Sequence, residues 1–169
     1  LPAYIVEEKI NYATLELAKS GEFTEKSLEL AYDNEEALQV IEQSYQHACK
    51  GLKTIVFCTS KDHAENVAKR LGGMAVHSGM KSGKICEAYQ YLENQDDAVL
   101  VNVDMLTKGF DCPSVRMLLV ARAVGSETLW LQIVGRGARP YPGKETFGVV
   151  DLGGNHARHG GWEDHRDWA

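Results

Sequence analysis

No stretch of this chain is apolar over anything near the ~20 residues that crossing a bilayer requires, so no membrane-spanning helix is expected. The N-terminus shows none of the charged-then-apolar layout of a secretion signal. Four cysteines (Cys49, Cys58, Cys86 and Cys112) include no CxxC pair, which removes the usual zinc and dithiol spacings. Read as reduced, mostly buried thiols, they point to a cytoplasmic location. Positive charge is scarce as well. The formal net charge of −6 argues against a generally basic nucleic-acid binder. The imbalance is local, however: residues 1–50 hold ten acids and four bases, and residues 51–169 hold fourteen of each. A neutral region can still grip phosphates where its donors converge. Low-complexity segments, internal repeats and linkers are also missing. The 169 residues suit one domain with a substantial core, divided into an acidic portion 1–50, a core 51–152 and a loop-rich tail 153–169.

What is present is an alternation of short apolar runs with helix-like stretches. Thr54–Cys58 (TIVFC) is β-branched and uninterrupted, the signature of a strand buried on both faces. Thr59 or Ser60 supplies a cap for a helix over Lys61–Leu71, which Gly72-Gly73 ends. Strands are then expected at Met74–Val76, Ala98–Val103, Val115–Ala121 and Phe147–Leu152, and helices at Lys84–Asn94 and Ser126–Arg139. Upstream, Tyr4–Val6 reads as an edge strand, and Asn34 caps a helix from Glu35 to about Lys50. Strand–helix alternation with short connections predicts an α/β fold with a mostly parallel central sheet and helices on both faces.

One helix carries the sharpest chemical signal. Gln132, Arg136 and Arg139 are spaced i, i+4, i+7 and would share a face, while Trp130, Ile133 and Val134 point to the sheet. Two arginines presented together suit a polyphosphate, since each stays charged and can bond two oxygens at once. Gly135 and Gly137 each cost a helix about 1 kcal/mol relative to alanine, which suggests close approach of another chain or a ligand. Taken alone, the arginines also fit a solvated face paired with nearby acids.

Context shifts that balance. Gln132-Ile-Val-Gly-Arg136-Gly-Ala-Arg139-Pro140 closely resembles motif VI of superfamily-2 helicases, and it follows a strand near the end of the domain, as that motif does. The segment 99–113 (VLVNVDMLTKGFDCP) resembles motif V, 54–71 resembles motif IV, and 75–80 (AVHSGM) resembles the strand-end segment that touches the nucleic-acid backbone. The style is that of the branch containing the type III restriction subunits and the XP-B type of DNA translocase. It extends through Lys144 (QIVGRGARPYPGK) and the following FGVVDLGGNHARHG. Val103 departs from the DEAD-box pattern, which has a threonine there.

The resemblance implies a three-layer RecA-like fold and a second motor domain that works with a preceding RecA-like domain of the same polypeptide. Arg136 and Arg139 would be arginine fingers reaching ATP, with its Mg2+, held mainly by that preceding domain. Gln132 would sit near the γ-phosphate and the attacking water. Gly109 would allow close backbone approach, and Asp111 would accept from a ribose hydroxyl or orient an arginine of motif VI. Thr59, Ser60, His77, Ser78, Gly79, Thr107 and Lys108 would meet the nucleic-acid backbone, DNA ahead of RNA. Several of these have plainer readings: Ser60 is a helix cap, 77–79 a polar turn, Gly109 a turn glycine, and Asp111 an Asx turn before Pro113.

A complete motor also needs a phosphate-cradling loop and an acidic Mg2+ site. Ser82-Gly83-Lys84-Ile85 imitates the end of such a loop, but no Ser or Thr follows Lys84, and no DExH-type run occurs. The chain by itself is therefore expected to hydrolyse ATP negligibly. No metal site is expected either, because His156, His159 and His165 are irregularly spaced. Two other readings remain open: a non-catalytic docking module on the same fold, and a nucleotide-dependent enzyme such as a dehydrogenase. The second lacks the G-x-G-x-x-G turn after the first strand.

Overall fold

The structure is a computed structural model and describes residues 1–7, 10–105 and 110–164. Thr107, Lys108 and Gly109, three of the expected contact residues, lie outside the described residues, as does His165. The strands are β1 (Ala3–Glu7), β2 (Thr54–Phe57), β3 (Met74–Val76), β4 (Val99–Asn102), β5 (Met117–Val120) and β6 (Phe147–Asp151). They form one sheet in the order β1-β6-β5-β2-β4-β3, every pairing parallel. Parallel neighbours need crossovers, and helices supply them: α1 (Glu25–Tyr32), α2 (Glu35–Ala48), α3 (Lys61–Leu71), α4 (Ser82–Asn94), α5 (Glu127–Gly135) and the short α6 (Asn155–His159).

Alternation along the strands divides the core in two. Val56, Val101, Leu119 and Val150 pack against Ile41, Ala64 and Val67, so α1, α2 and α3 cover one face. Ile55, Leu100, Leu118 and Val149 pack with Ala88, Leu92, Trp130 and Val134, so α4 and α5 cover the other. Strands β2, β4, β5 and β6 are buried along their whole length, as their near-continuous apolar sequences require.

Local signals account for the helix ends. Ser60 Oγ accepts from the N–H of His63, Asn34 Oδ1 from Ala37 and Ser126 Oγ from Leu129. Gly72 closes α3 at φ 70°, a left-handed conformation that costs glycine nothing.

Three expectations need correction. α1, capped by Thr24, is an additional helix. The helix expected to reach Arg139 ends at Gly135, with Arg136 as its C-cap, so Arg139 lies beyond it. The tail is also less loop-like than expected: α6 begins at a fully buried Asn155, whose side chain bonds Val124 N–H, the Arg122 carbonyl and Asp151.

The motif glycines also turn out to be explained internally. A Cβ on Gly137 would overlap the buried ring of Phe147, and one on Gly135 would merely touch Trp162. The close approach at Gly137 is thus to the domain's own β6. Gly137→Ala should destabilise the chain by roughly 2 kcal/mol through overpacking, read as a lower midpoint in urea, while Gly135→Ala should change stability little.

Candidate functional site

Two concavities open beside the carboxyl ends of the strands. The chain runs from β2 outward to β3, back to β4 between them, then across to β5 on the other side of β2. Strand order therefore reverses around β2, where open α/β sheets place ligands. The first concavity is a recess lined by Phe57 and Cys58 at the end of β2, Asn102 and Asp104 after β4, Arg122 after β5, and Gln132, Ile133 and Arg136 from α5. Gln132 and Arg136, one turn apart, thus face the same space. Ile133 and Val134 pack inward and hold α5 on the sheet.

The two motif arginines are held differently but on the same side. Arg136 is half-buried and donates from Nη1 to the carbonyl of Phe110 at 2.6 Å. Phe110 is itself pinned by stacking on Tyr89 of α4, with ring centroids 4.2 Å apart. Arg139 lies with Nε 3.6 Å from Asp111 Oδ1. Both guanidiniums thus reach consecutive residues, 110 and 111. The Arg139–Asp111 pair is more than half exposed on each side, so it contributes at most about 1 kcal/mol and gives way readily to a better anion. Arg136 commits one donor to Phe110, and a guanidinium carries five.

The second concavity is a groove lined by Glu25 and Glu29 of α1, Thr59 to Asp62 at the start of α3, His77 and Ser78 after β3, and Val103 and Asp104 after β4. Four expected backbone-contacting residues, Thr59, Ser60, His77 and Ser78, meet here. Gly79 adjoins them, with Lys61 Nζ resting 3.1 Å from where its Cβ would stand.

Not all of these groups are uncommitted. Thr59 is buried, and its N–H and hydroxyl both lie on His63 Nδ1, at 3.1 and 3.0 Å. Burial pushes the His63 pKa down to about 4, so its ring stays neutral at pH 7 and serves as an acceptor. Gly79 N–H points at His77 Nδ1, which leaves the His77 Nε2 proton for Glu65 Oε1 at 3.0 Å.

Three residues that motif matching did not single out belong to these surfaces. Lys61 is the groove's cation. Arg122, directly after β5, places Nη1 3.6 Å from Asp104 Oδ1. Asp104 lines both concavities and is the one non-glycine residue with positive φ, 56°, among the described residues. Its place at a strand end was the available signal, since such ends carry ligand contacts in this class of sheet.

Residues 35–141, more than half of the chain, match the helicase conserved C-terminal domain. The chain belongs to that family. A 51.5 kDa protein of a Lactococcus phage is 30% identical to this chain over 155 residues, 89% of this chain and 34% of that protein. A putative mitochondrial ATP-dependent helicase, irc3, from Schizosaccharomyces pombe is 30% identical over 88% of the chain and 26% of its own length. The chain thus spans about a third or less of the length of these relatives. Among solved structures, a fragment of a putative HsdR subunit of a type I restriction enzyme from Vibrio vulnificus superposes with a TM-score of 0.62 at 22% identity, covering 78% of this chain and 30% of that one. That likeness establishes the fold, which is the RecA-like α/β fold of helicase C-terminal domains. The parallel sheet with helices on both faces is the architecture the sequence predicts.

Proposed function

We propose that this chain is the second motor lobe of an ATP-dependent helicase or translocase. In this reading Arg136 and Arg139 are arginine fingers for ATP bound by a preceding RecA-like lobe of the same polypeptide, Gln132 orients the attacking water, and the 59–61/77–79 groove holds the backbone of nucleic acid, DNA ahead of RNA. The observation that carries it is the shared direction of the two arginines: they lean on consecutive residues, beside a recess that also receives Gln132. DNA is placed ahead of RNA because the motif style is that of the branch containing the type III restriction subunits and the XP-B type of DNA translocase. Four free cysteines, three of them buried, fit a reducing cytoplasmic setting.

The recess offers the guanidiniums of Arg122 and Arg136 and the amides of Asn102 and Gln132 against the single carboxylate of Asp104. That set suits phosphate oxygens rather than Mg2+, so both the metal and most of the nucleotide belong to the other lobe. ATP supplies the transferable phosphoryl group. This chain's arginines would stabilise the charge that builds on it, and they leave Phe110 and Asp111 to do so. Closure of the lobes would bring them in, and reopening would release them. Asp104, shared by recess and groove, gives nucleic-acid binding a direct structural route to the ATP side.

The docking-module alternative is separated by Arg136→Ala in the protein that carries both lobes: unchanged nucleic-acid-stimulated ATPase would support the module. The groove has its own test. Lys61→Ala should weaken binding about equally for all sequences and lower the slope of log affinity against log salt by about one. A slope equal to that of the unsubstituted chain would remove Lys61 from the contact surface.

A further inference from the structure

Lys144 lies outside the residues that motif comparison makes functional, yet it is a buried cation whose ammonium is fully engaged. It is 5% exposed. Its ammonium donates to three carbonyls: Gly137 at 2.6 Å, Arg139 at 3.0 Å and Pro113 at 3.0 Å. Three donors meet three acceptors, and no carboxylate is within salt-bridge distance among the described residues. Two of those carbonyls belong to the turn after α5 that carries Arg139. The third follows Asp111 by two residues. The ammonium therefore ties the segment bearing Asp111 to the segment bearing Arg139, the two halves of the exposed pair.

Other features hold Lys144 in place. Its own N–H bonds the Tyr141 carbonyl, the Phe147 ring lies 5.9 Å from Nζ, and Arg116 Nη1 holds the adjacent Gly143 carbonyl at 3.1 Å.

We propose that Lys144 is a positioning residue for the motif VI arginines, and that its ammonium sets the turn from which Arg139 reaches the nucleotide of the neighbouring lobe. This rests on the arginine-finger reading above. An exposed pair worth so little cannot fix that turn by itself, and the helix ends before it, so the geometry falls to the buried ammonium. Displacing a catalytic group by about 1 Å can cost up to ~100-fold in rate.

The groups that face the ammonium, besides its three carbonyls, are the Arg116 guanidinium and the Cys112 thiol. Burial, then Arg116, pushes its pKa down from 10.5 to about 8, with Cys112 opposing. Because folding lowers this pKa, the unfolded chain binds more protons between pH 8 and 10.5, and this group's contribution to stability rises with pH across that window. The same deprotonation removes one of three donors. A purely structural lysine would leave activity to follow stability. A positioning lysine separates them: activity falls above about pH 8 while the unfolding midpoint does not.

The test uses Lys144→Arg and Lys144→Met in the protein carrying both lobes, with Arg139→Ala alongside, and follows nucleic-acid-stimulated ATP hydrolysis and thermal unfolding from pH 7 to 10. Nitrogen NMR of the Lys144 ammonium in the 169-residue chain gives its titration directly. Lys144→Arg keeps charge and donors, but its planar fork cannot meet three converging carbonyls, so the variant should fold and lose about 10-fold in kcat with KM for ATP nearly unchanged. The unsubstituted protein should lose activity above pH 8 without losing stability, and the variants should be flat there.

Full kcat in Lys144→Arg with an impaired Arg139→Ala would overturn the role of Lys144 alone. Full activity in Arg139→Ala would overturn the finger reading and this proposal with it. An ammonium that titrates near 8 with no matching loss of activity would also contradict it.

Discussion

Replacing Arg136 by alanine should lower nucleic-acid-stimulated ATP hydrolysis by about 10³-fold or more, measured in the protein that carries both lobes. An arginine finger is worth roughly 10³–10⁵ because it meets charge that exists only at the transition state. The loss should therefore fall on kcat, with nucleotide and nucleic-acid affinity little altered. The resting geometry makes the variant a clean one. Among the described residues Arg136 donates one side-chain bond, to the Phe110 carbonyl, and Phe110 keeps its stacking on Tyr89 without it. The site is half-buried at the helix C-cap, so truncation leaves no buried charge unpaired. Arg136→Lys should recover little, since one ammonium cannot both bridge two phosphoryl oxygens and keep the fork geometry. A rate within a few-fold of the unsubstituted protein would favour the docking-module reading.

The second large effect is on the chain alone. The 169-residue chain should show no ATP turnover above background, with or without nucleic acid, and adding or restoring the lobe that holds ATP should bring turnover back. The physical reason is the polar inventory of the recess: Arg122, Arg136, Gln132 and Asn102 against Asp104. Such a set can neutralise phosphate charge, but among the described residues that line it there is one carboxylate, not the pair that would hold Mg2+. Sustained turnover by a pure sample of this chain would show that it holds a complete catalytic centre, and the two-lobe account would fail.

How much of this could be read beforehand differs from element to element. The buried strands were legible because a strand covered on both faces is a near-continuous apolar run, as in Thr54–Cys58 and Val115–Ala121. The caps Ser60 and Asn34 were legible because only a short hydroxyl or amide side chain bonds a helix's free N–H groups. α1 was not. Its eight residues are interrupted by Asp33-Asn34 before α2, and the stronger cap of α2 masked that of Thr24.

The end of α5 was misjudged for a related reason. Spacing alone continued the helix to Arg139, but Gly135 and Gly137 weaken it, and the carbonyls of Gly137 and Arg139 turn to Lys144 instead. That partner is distant enough in sequence to escape periodicity. So is the packing of Phe147 against Gly137, which a sequence pattern reads as room for a ligand.

Of the site, the residue types were legible and their grouping only partly so. Thr59, Ser60, His77 and Ser78 do share one groove, although Thr59 is occupied by His63 and Ser60 by capping α3. Asp104, the residue common to groove and recess, lies within the motif V segment, but that resemblance gave it no role of its own.

The most direct measurement is a crystal structure of the two-lobed protein with nucleic acid and ADP–aluminium fluoride, a mimic of the phosphoryl transition state. The account predicts that Arg136 and Arg139 leave Phe110 and Asp111 and place guanidinium nitrogens about 2.7–3.1 Å from the fluoride or phosphate oxygens. Both arginines still on Phe110 and Asp111, with the analogue bound and the lobes closed, would contradict it.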